Sequence, residues 1–155
     1  MIRTAITILV VVVIFGFIGL FVLSGIAQTH GVVEVPASEN FASVDIANAD
    51  YADSWRAELN FRSYKDIQQV SDRAFRKGKE IFRNDSEVVY QGTAPGLTYQ
   101  ISYQLERGTT PHTIMVTTTV RYHNRLGRAY WFFVRPGHRM LTPFRVDQMA
   151  MTAPE

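Results

Sequence analysis

The chain has 155 residues, with 16 Lys+Arg against 14 Asp+Glu for a net charge of +2, hydrophobic content of 46% and no cysteine. That length leaves room for one domain once an apolar N-terminal run is set aside. The lack of cysteine excludes disulfides, thiolate metal sites and a cysteine nucleophile. The small net charge hides a gradient: residues 29–60 carry six acids and one arginine, whereas residues 107–155 carry seven arginines and two acids. Such ends neutralise one another across a fold, or leave a basic face for anionic headgroups or an acidic partner.

Ala5 to Ile26 contains no charged residue. As a helix it would be roughly 33 Å long, enough to cross a hydrocarbon core of ~30 Å. In lipid the backbone must satisfy its own hydrogen bonds, so helix prevails over the β-branched bias of Ile8 to Ile14. Arg3 flanks one end and no base follows until Arg56. The positive-inside bias therefore predicts a cytoplasmic N-terminus and a domain on the extracytoplasmic side of the membrane, the periplasmic side if that membrane is the bacterial inner membrane which the resemblance given below implies. Gly25-Ile26-Ala27 would allow cleavage as a signal peptide, but the apolar run exceeds the usual h-region of about 7–15 residues. The expected division is an anchor over 1–27, a juxtamembrane tether over 28–48 with a short strand near its end, and an α+β domain over 49–150.

Tyr51 to Leu59 alternates about Trp55 and predicts a half-buried strand. Ser63 to Arg83 changes to a three-and-four spacing through Ile67, Val70, Ala74, Phe75, Ile81 and Phe82, which predicts one amphipathic helix capped by Ser63 with Asp66 reaching back. Gly78 weakens its middle by roughly 1 kcal/mol against Ala. Glu87 to Gln91 is a short strand, Thr93 to Gly96 a turn, and Leu97 to Leu105 a strand with Leu97, Tyr99, Ile101, Tyr103 and Leu105 on its inner face. Thr113 to Tyr122 is the longest strand, and the short connections imply an antiparallel meander. Arg128 to Val134 is helical in spacing, and Pro136-Gly137 is expected to interrupt that helix. Strands hiding one face against helices make an α+β two-layer domain.

The run Val116-Thr-Thr-Thr-Val-Arg-Tyr-His-Asn-Arg-Leu-Gly-Arg-Ala-Tyr-Trp, followed by Arg135-Pro-Gly-His-Arg, resembles the C-terminal signature of an uncharacterised bacterial domain family, in which a phrase like VVRFHNRLGR leads into a helix containing RPFHR. Asp50 to Trp55 resembles the opening strand of the same domains. The family is associated with the START-like, polyketide-cyclase-like superfamily. The resemblance implies a helix-grip fold over about residues 48–148: a curved antiparallel sheet around a long C-terminal helix, with a cavity between them. Gly137 stands where the family tends to have a bulky aromatic, and the stretch from Leu59 to Ser86 is short, which implies a reduced cavity roof.

His123 and His138 lack a third ligand in their neighbourhood, so the sequence predicts no metal and no cofactor. As a general base His123 would need Asp50 or Asp53 as a partner. Arg121, Arg125 and Arg128 suit carboxylate or phosphate pairing through the planar guanidinium, or tie the strand–helix corner to Asp50, Asp53 or Glu58. No nucleophile elbow, Ser/Lys pair or phosphate-binding glycine loop occurs. An extracytoplasmic domain is a poor nucleic-acid binder. The expectation is a non-catalytic domain holding a small apolar or amphipathic ligand, a lipid for instance. Trp55, Tyr99, Tyr103, Tyr122 and Trp131 would line the site, with Arg121, Arg125 or Arg128 meeting a charged group. The alternative is an envelope interaction module with a solid core, whose C-terminal helix docks through Arg135, Arg139 and Arg145 on an acidic protein or on headgroups.

Overall fold

The computed structural model describes residues 31–37, 43–59, 64, 66–74, 78–106 and 111–151. The expected anchor over 1–27, the cap Ser63, Phe75 and the connection at 107–110 lie outside these residues. Six strands and two helices follow in order: β1 (Val32–Val35), β2 (Tyr51–Glu58), α1 (Ile67–Arg73), β3 (Lys79–Arg83), β4 (Glu87–Ala94), β5 (Leu97–Glu106), β6 (Thr113–Tyr122) and α2 (Arg125–Met151). The strands form one antiparallel sheet in the order β1-β2-β6-β5-β4-β3. An antiparallel sheet with a C-terminal helix against it fits a helix-grip-like, α+β arrangement.

The expected meander is β4-β5-β6, and β2 closes onto its far side, with Trp55 opposite Val116 and Tyr103 opposite the same valine. Side chains alternate across a pleated sheet. Tyr51, Asp53, Trp55 and Ala57 therefore share one face with Ile114, Val116, Thr118 and Val120 and with the odd-numbered inner residues of β5. That face meets α1 and the end of α2, where Tyr103, Leu105, Ile114 and Val116 pack with Tyr64, Val70, Val146 and Met149 in the main core. A second cluster, Leu97, Val120 and Trp131 with Tyr51, Tyr99 and Tyr122 against it, lies under the first turns of α2.

Three expectations are corrected. The helix predicted over Ser63–Arg83 is a short helix ending at Arg73 followed by an edge strand. Asp66 is its N-cap, accepting from Gln69 N, rather than a residue of its first turn. Gly78 sits at φ +148°, and a Cβ there would lie 2.2 Å from the Gln91 carbonyl oxygen. Only glycine allows that approach, which delivers Lys79–Arg83 onto β4. The strand in the tether lies at its start, Val32–Val35, where it covers the open edge of β2. Finally, α2 runs unbroken from Arg125 to Met151 through Pro136 and Pro143. Pro136 and Phe132 are both exposed, so the carbonyl deprived of its partner faces solvent. Packing of Trp131 before the proline and of Val146, Met149 and Ala150 after it holds both halves to the sheet.

The start of α2 is fixed by close contact with the β4–β5 turn. Asn124 caps the helix by accepting from Gly127 N at 3.0 Å. A Cβ on Gly127 would meet the Gly96 carbonyl oxygen at 1.9 Å, and Gly96 itself has φ +73°. On the sheet's other face the segment before β2 crosses the strands: Ser43 donates from N and Oγ to Glu87, and Asp45 N donates to Gln100.

Candidate functional site

The densest polar chemistry inside the fold lies between β2 and the middle of α2. Alternation along β2 presents Tyr51, Asp53 and Trp55 together toward the helix. Helical spacing presents Trp131, Arg135, His138 and Thr142 back toward them. Asp53 is 3% exposed. Its carboxylate accepts from Tyr51 Oη at 2.9 Å, Trp55 Nε1 at 3.2 Å and His138 Nε2 at 3.1 Å. A carboxylate only accepts, so His138 carries its proton on Nε2, which leaves Nδ1 facing Thr142 Oγ1 at 3.3 Å. Burial pushes the Asp53 carboxyl up. The hydrogen bond and charge of His138, with the bonds from Tyr51 and Trp55, outweigh burial and hold it below the usual carboxylate range. Burial, and then the Asp53 carboxylate, raise the Tyr51 hydroxyl far above its ordinary value, so it remains a donor.

Aromatic rings surround this pair. Trp131 lies 5.1 Å from Tyr51 and 5.3 Å from His138 between ring centroids. Arg135 sits over the Tyr51 ring at 5.0 Å, and Arg139 lies 6.0 Å from the Trp55 ring while pairing with Glu34 of β1. Two buried polar atoms beside the pair have no hydrogen-bond partner among the described residues: Trp131 Nε1 and Thr118 Oγ1, on residues 6% and 3% exposed. Thr118 is the cross-strand partner of Asp53. Buried polar groups are nearly always satisfied, so two unpartnered atoms in one cluster set it apart from the rest of the described core.

The sequence-predicted lining residues divide. Trp55 and Trp131 join the Asp53–His138 cluster, and Tyr99 and Tyr122 pack against the second apolar cluster. Burial raises the Tyr99 and Tyr122 hydroxyls, with Tyr130 and Asp50 respectively adding to it. Tyr103 instead lies in the main core, edge-on to Tyr90 at 6.2 Å. Arg121 pairs across from Thr98 on the opposite face of the sheet, and Arg125 and Arg128 are exposed at the start of α2. The guanidinium of none of these three makes a hydrogen bond or ion pair among the described residues.

The acids considered as their partners are engaged elsewhere: Asp50 accepts from Tyr122 N at 2.7 Å, and Asp53 holds His138. His123 meets Thr98 Oγ1 at 2.7 Å. The sequence named Asp53 as a partner for His123 or for the arginines Arg121, Arg125 and Arg128, and it overlooked Tyr51, Arg135, Arg139 and Thr142 as neighbours of the site. The shared face of Tyr51, Asp53 and Trp55 was the available signal.

An open groove of about 550 Å³ lies elsewhere, lined by Asp66, Ile67, Gln68, Arg83, Asn84 and Asp85. Its arginine is already held by Glu80, Gln68 and Ser71. Among the described residues no cluster of three or more His, Asp or Glu could hold a metal ion, and no helix is long and apolar enough to cross a membrane.

Residues 68–144 match the model of a family described as a protein of unknown function, DUF2867. The match runs from α1 through most of α2 and includes His138 but not Asp53. No curated protein and no solved structure matches the chain.

Proposed function

We propose that the chain is a membrane-anchored, non-catalytic binding domain of START-like type, held at the bacterial inner membrane by residues 5–26 with the domain outside the cytoplasm. Its ligand is a small amphipathic molecule, a lipid or isoprenoid with an acceptor-bearing head. The observation that carries the reading is the pair of orphaned polar atoms, Trp131 Nε1 and Thr118 Oγ1, between sheet and helix. An indole N–H, a hydroxyl and the nearby Arg135 guanidinium together suit a carboxylate or phosphate oxygen. The rings of Tyr51, Trp131 and Tyr99 offer apolar surface to the rest of such a molecule. The Asp53 carboxylate is already engaged by three donors, Tyr51, Trp55 and His138, which shield it from an anionic head.

Native mass spectrometry of the full chain, released from its host membrane in mild detergent, tests this. A reproducible added mass in the lipid or isoprenoid range is expected. It should disappear in Trp131→Phe, which lacks the donor, and persist in Arg121→Ala, which changes the opposite face. An apo mass in every preparation would rule the reading out.

A further inference from the structure

The helix that closes this site has a second, outward face that the ligand reading leaves unused. Leu126, Tyr130, Phe133 and Leu141 repeat at helical spacing on the side of α2 away from Trp131 and His138, and Phe132 flanks them. Leu126, Phe132 and Phe133 are 62%, 72% and 58% exposed. Scattered apolar residues on a surface are ordinary, but a continuous aromatic and aliphatic stripe along one helix marks a docking surface.

We infer that this face of α2 lies on the surface of an anionic bilayer, the one that residues 5–26 enter on the anchored reading proposed above. Two observations select that occupant. The first is charge: Arg125 and Arg128 project from the same turns as Leu126 and Phe132, with no acid paired to them among the described residues. An apolar stripe bordered by unpaired arginines is the pattern of a helix lying in the headgroup layer. The second is chain length. Five residues, 27–31, separate the end of the apolar run from β1. Fully extended they reach at most roughly 20 Å. β1 sits beside α2, joined to it by the Arg139–Glu34 ion pair. A 27-residue helix held that close to the membrane can lie along it.

The chain has no cysteine, so single labels are clean. Ala129→Cys, beside the stripe, and Asp85→Cys, on the exposed β3–β4 turn, are each labelled with a fluorophore in the full chain. Each is reconstituted into vesicles of zwitterionic lipid, or of a mixture with phosphatidylglycerol, carrying doxyl-lipid quencher. Quenching at 129 should exceed that at 85 several-fold in the anionic vesicles. It should fall by at least half in zwitterionic vesicles and in Arg125→Glu/Arg128→Glu, whose helical circular dichroism should be retained. Equal quenching at both positions overturns the inference. So does a label at 129 shielded from water but not reached by lipid quencher, the result expected if a second copy or the chain's own apolar run covers the stripe. Quenching indifferent to lipid charge and to the double reversal overturns it as well.

Discussion

The two faces of the sheet each bury a carboxylate, and they do so by different means. On the face opposite α2, Glu87 is 3% exposed and accepts from Ser43 N, Ser43 Oγ and Ser102 Oγ, the last at 2.5 Å. Its donors are a strap backbone and hydroxyls, none of which changes charge near neutral pH. On the α2 face, Asp53 is as deeply buried, but one of its donors is a titratable imidazole carried on a separate element, and orphaned polar atoms adjoin it. The first arrangement closes on itself and fastens a crossing segment. The second ties sheet to helix and leaves hydrogen-bonding capacity unspent. Burial of a charge therefore does not by itself fix its role; the nature and completeness of its partners differ between the two faces.

The largest expected effect comes from removing each carboxylate. Asp53→Ala strands a tyrosine hydroxyl, an indole N–H and an imidazole, and should cost about 3 kcal/mol in chemical denaturation. Glu87→Ala strands two hydroxyls and one strap amide, and should cost about 2 kcal/mol. The more discriminating measurement is their coupling. Asp53→Ala with His138→Ala should depart from additivity by more than ~1 kcal/mol, because the two contact one another. Asp53→Ala with Glu87→Ala should add within ~0.5 kcal/mol. Equal couplings would mean that the faces are one network and would dissolve the comparison.

A smaller effect follows from acid. The folded Asp53 carboxyl lies below the usual range, so the stability it contributes is fully present above the unfolded value of about 3.9 and is lost as pH falls through the folded value. Asp53→Asn keeps the shape without the titration. The stability gap between the parent and this variant should thus narrow below about pH 4. A gap unchanged down to pH 2 would show that the carboxylate gains nothing from its partners.

Much of this architecture was readable before the fold was known, and the limits have physical causes. β2, β5 and β6 announce themselves because each turns most of its large apolar side chains to the α2 face and mostly polar or small ones to the other, which writes a period of two into the chain. β3 does not, because an edge strand exposed throughout is under no such pressure. Its Ile81 and Phe82 fell at helical spacing from Ala74 and Phe75, and only the backbone contact of Gly78 with Gln91 reveals the true direction. The unbroken α2 was hidden for the opposite reason: local rules stop a helix at Pro136, whereas packing on both sides of the proline carries it through. The site was half legible. Tyr51, Asp53 and Trp55 share a face by simple alternation, but the partner of Asp53 lies 85 residues away. The sequence offered His123 for that role, and no local feature pointed to His138.

The finest test of the comparison uses two adjacent residues of one strand. Thr117 and Thr118 are 1% and 3% exposed, on opposite faces of β6. Thr117 Oγ1 meets Ser54 Oγ at 2.8 Å, whereas Thr118 Oγ1 has no partner among the described residues. Valine nearly preserves the volume of each and deletes the hydroxyl. Thr117→Val removes one partner of the buried Ser54 hydroxyl, and should cost about 1 kcal/mol. Thr118→Val removes a buried orphan, and in the ligand-free protein should be neutral or stabilising by up to ~1 kcal/mol. Where the proposed ligand is bound, the same change should lower its occupancy, since the hydroxyl then has a partner to lose. Opposite signs of stability change, with ligand loss confined to Thr118→Val, would assign the spare hydrogen-bonding capacity to the α2 face. Equal destabilisation by both changes, with no ligand lost, would mean that Thr118 is satisfied within the fold and that the two faces are fastened alike.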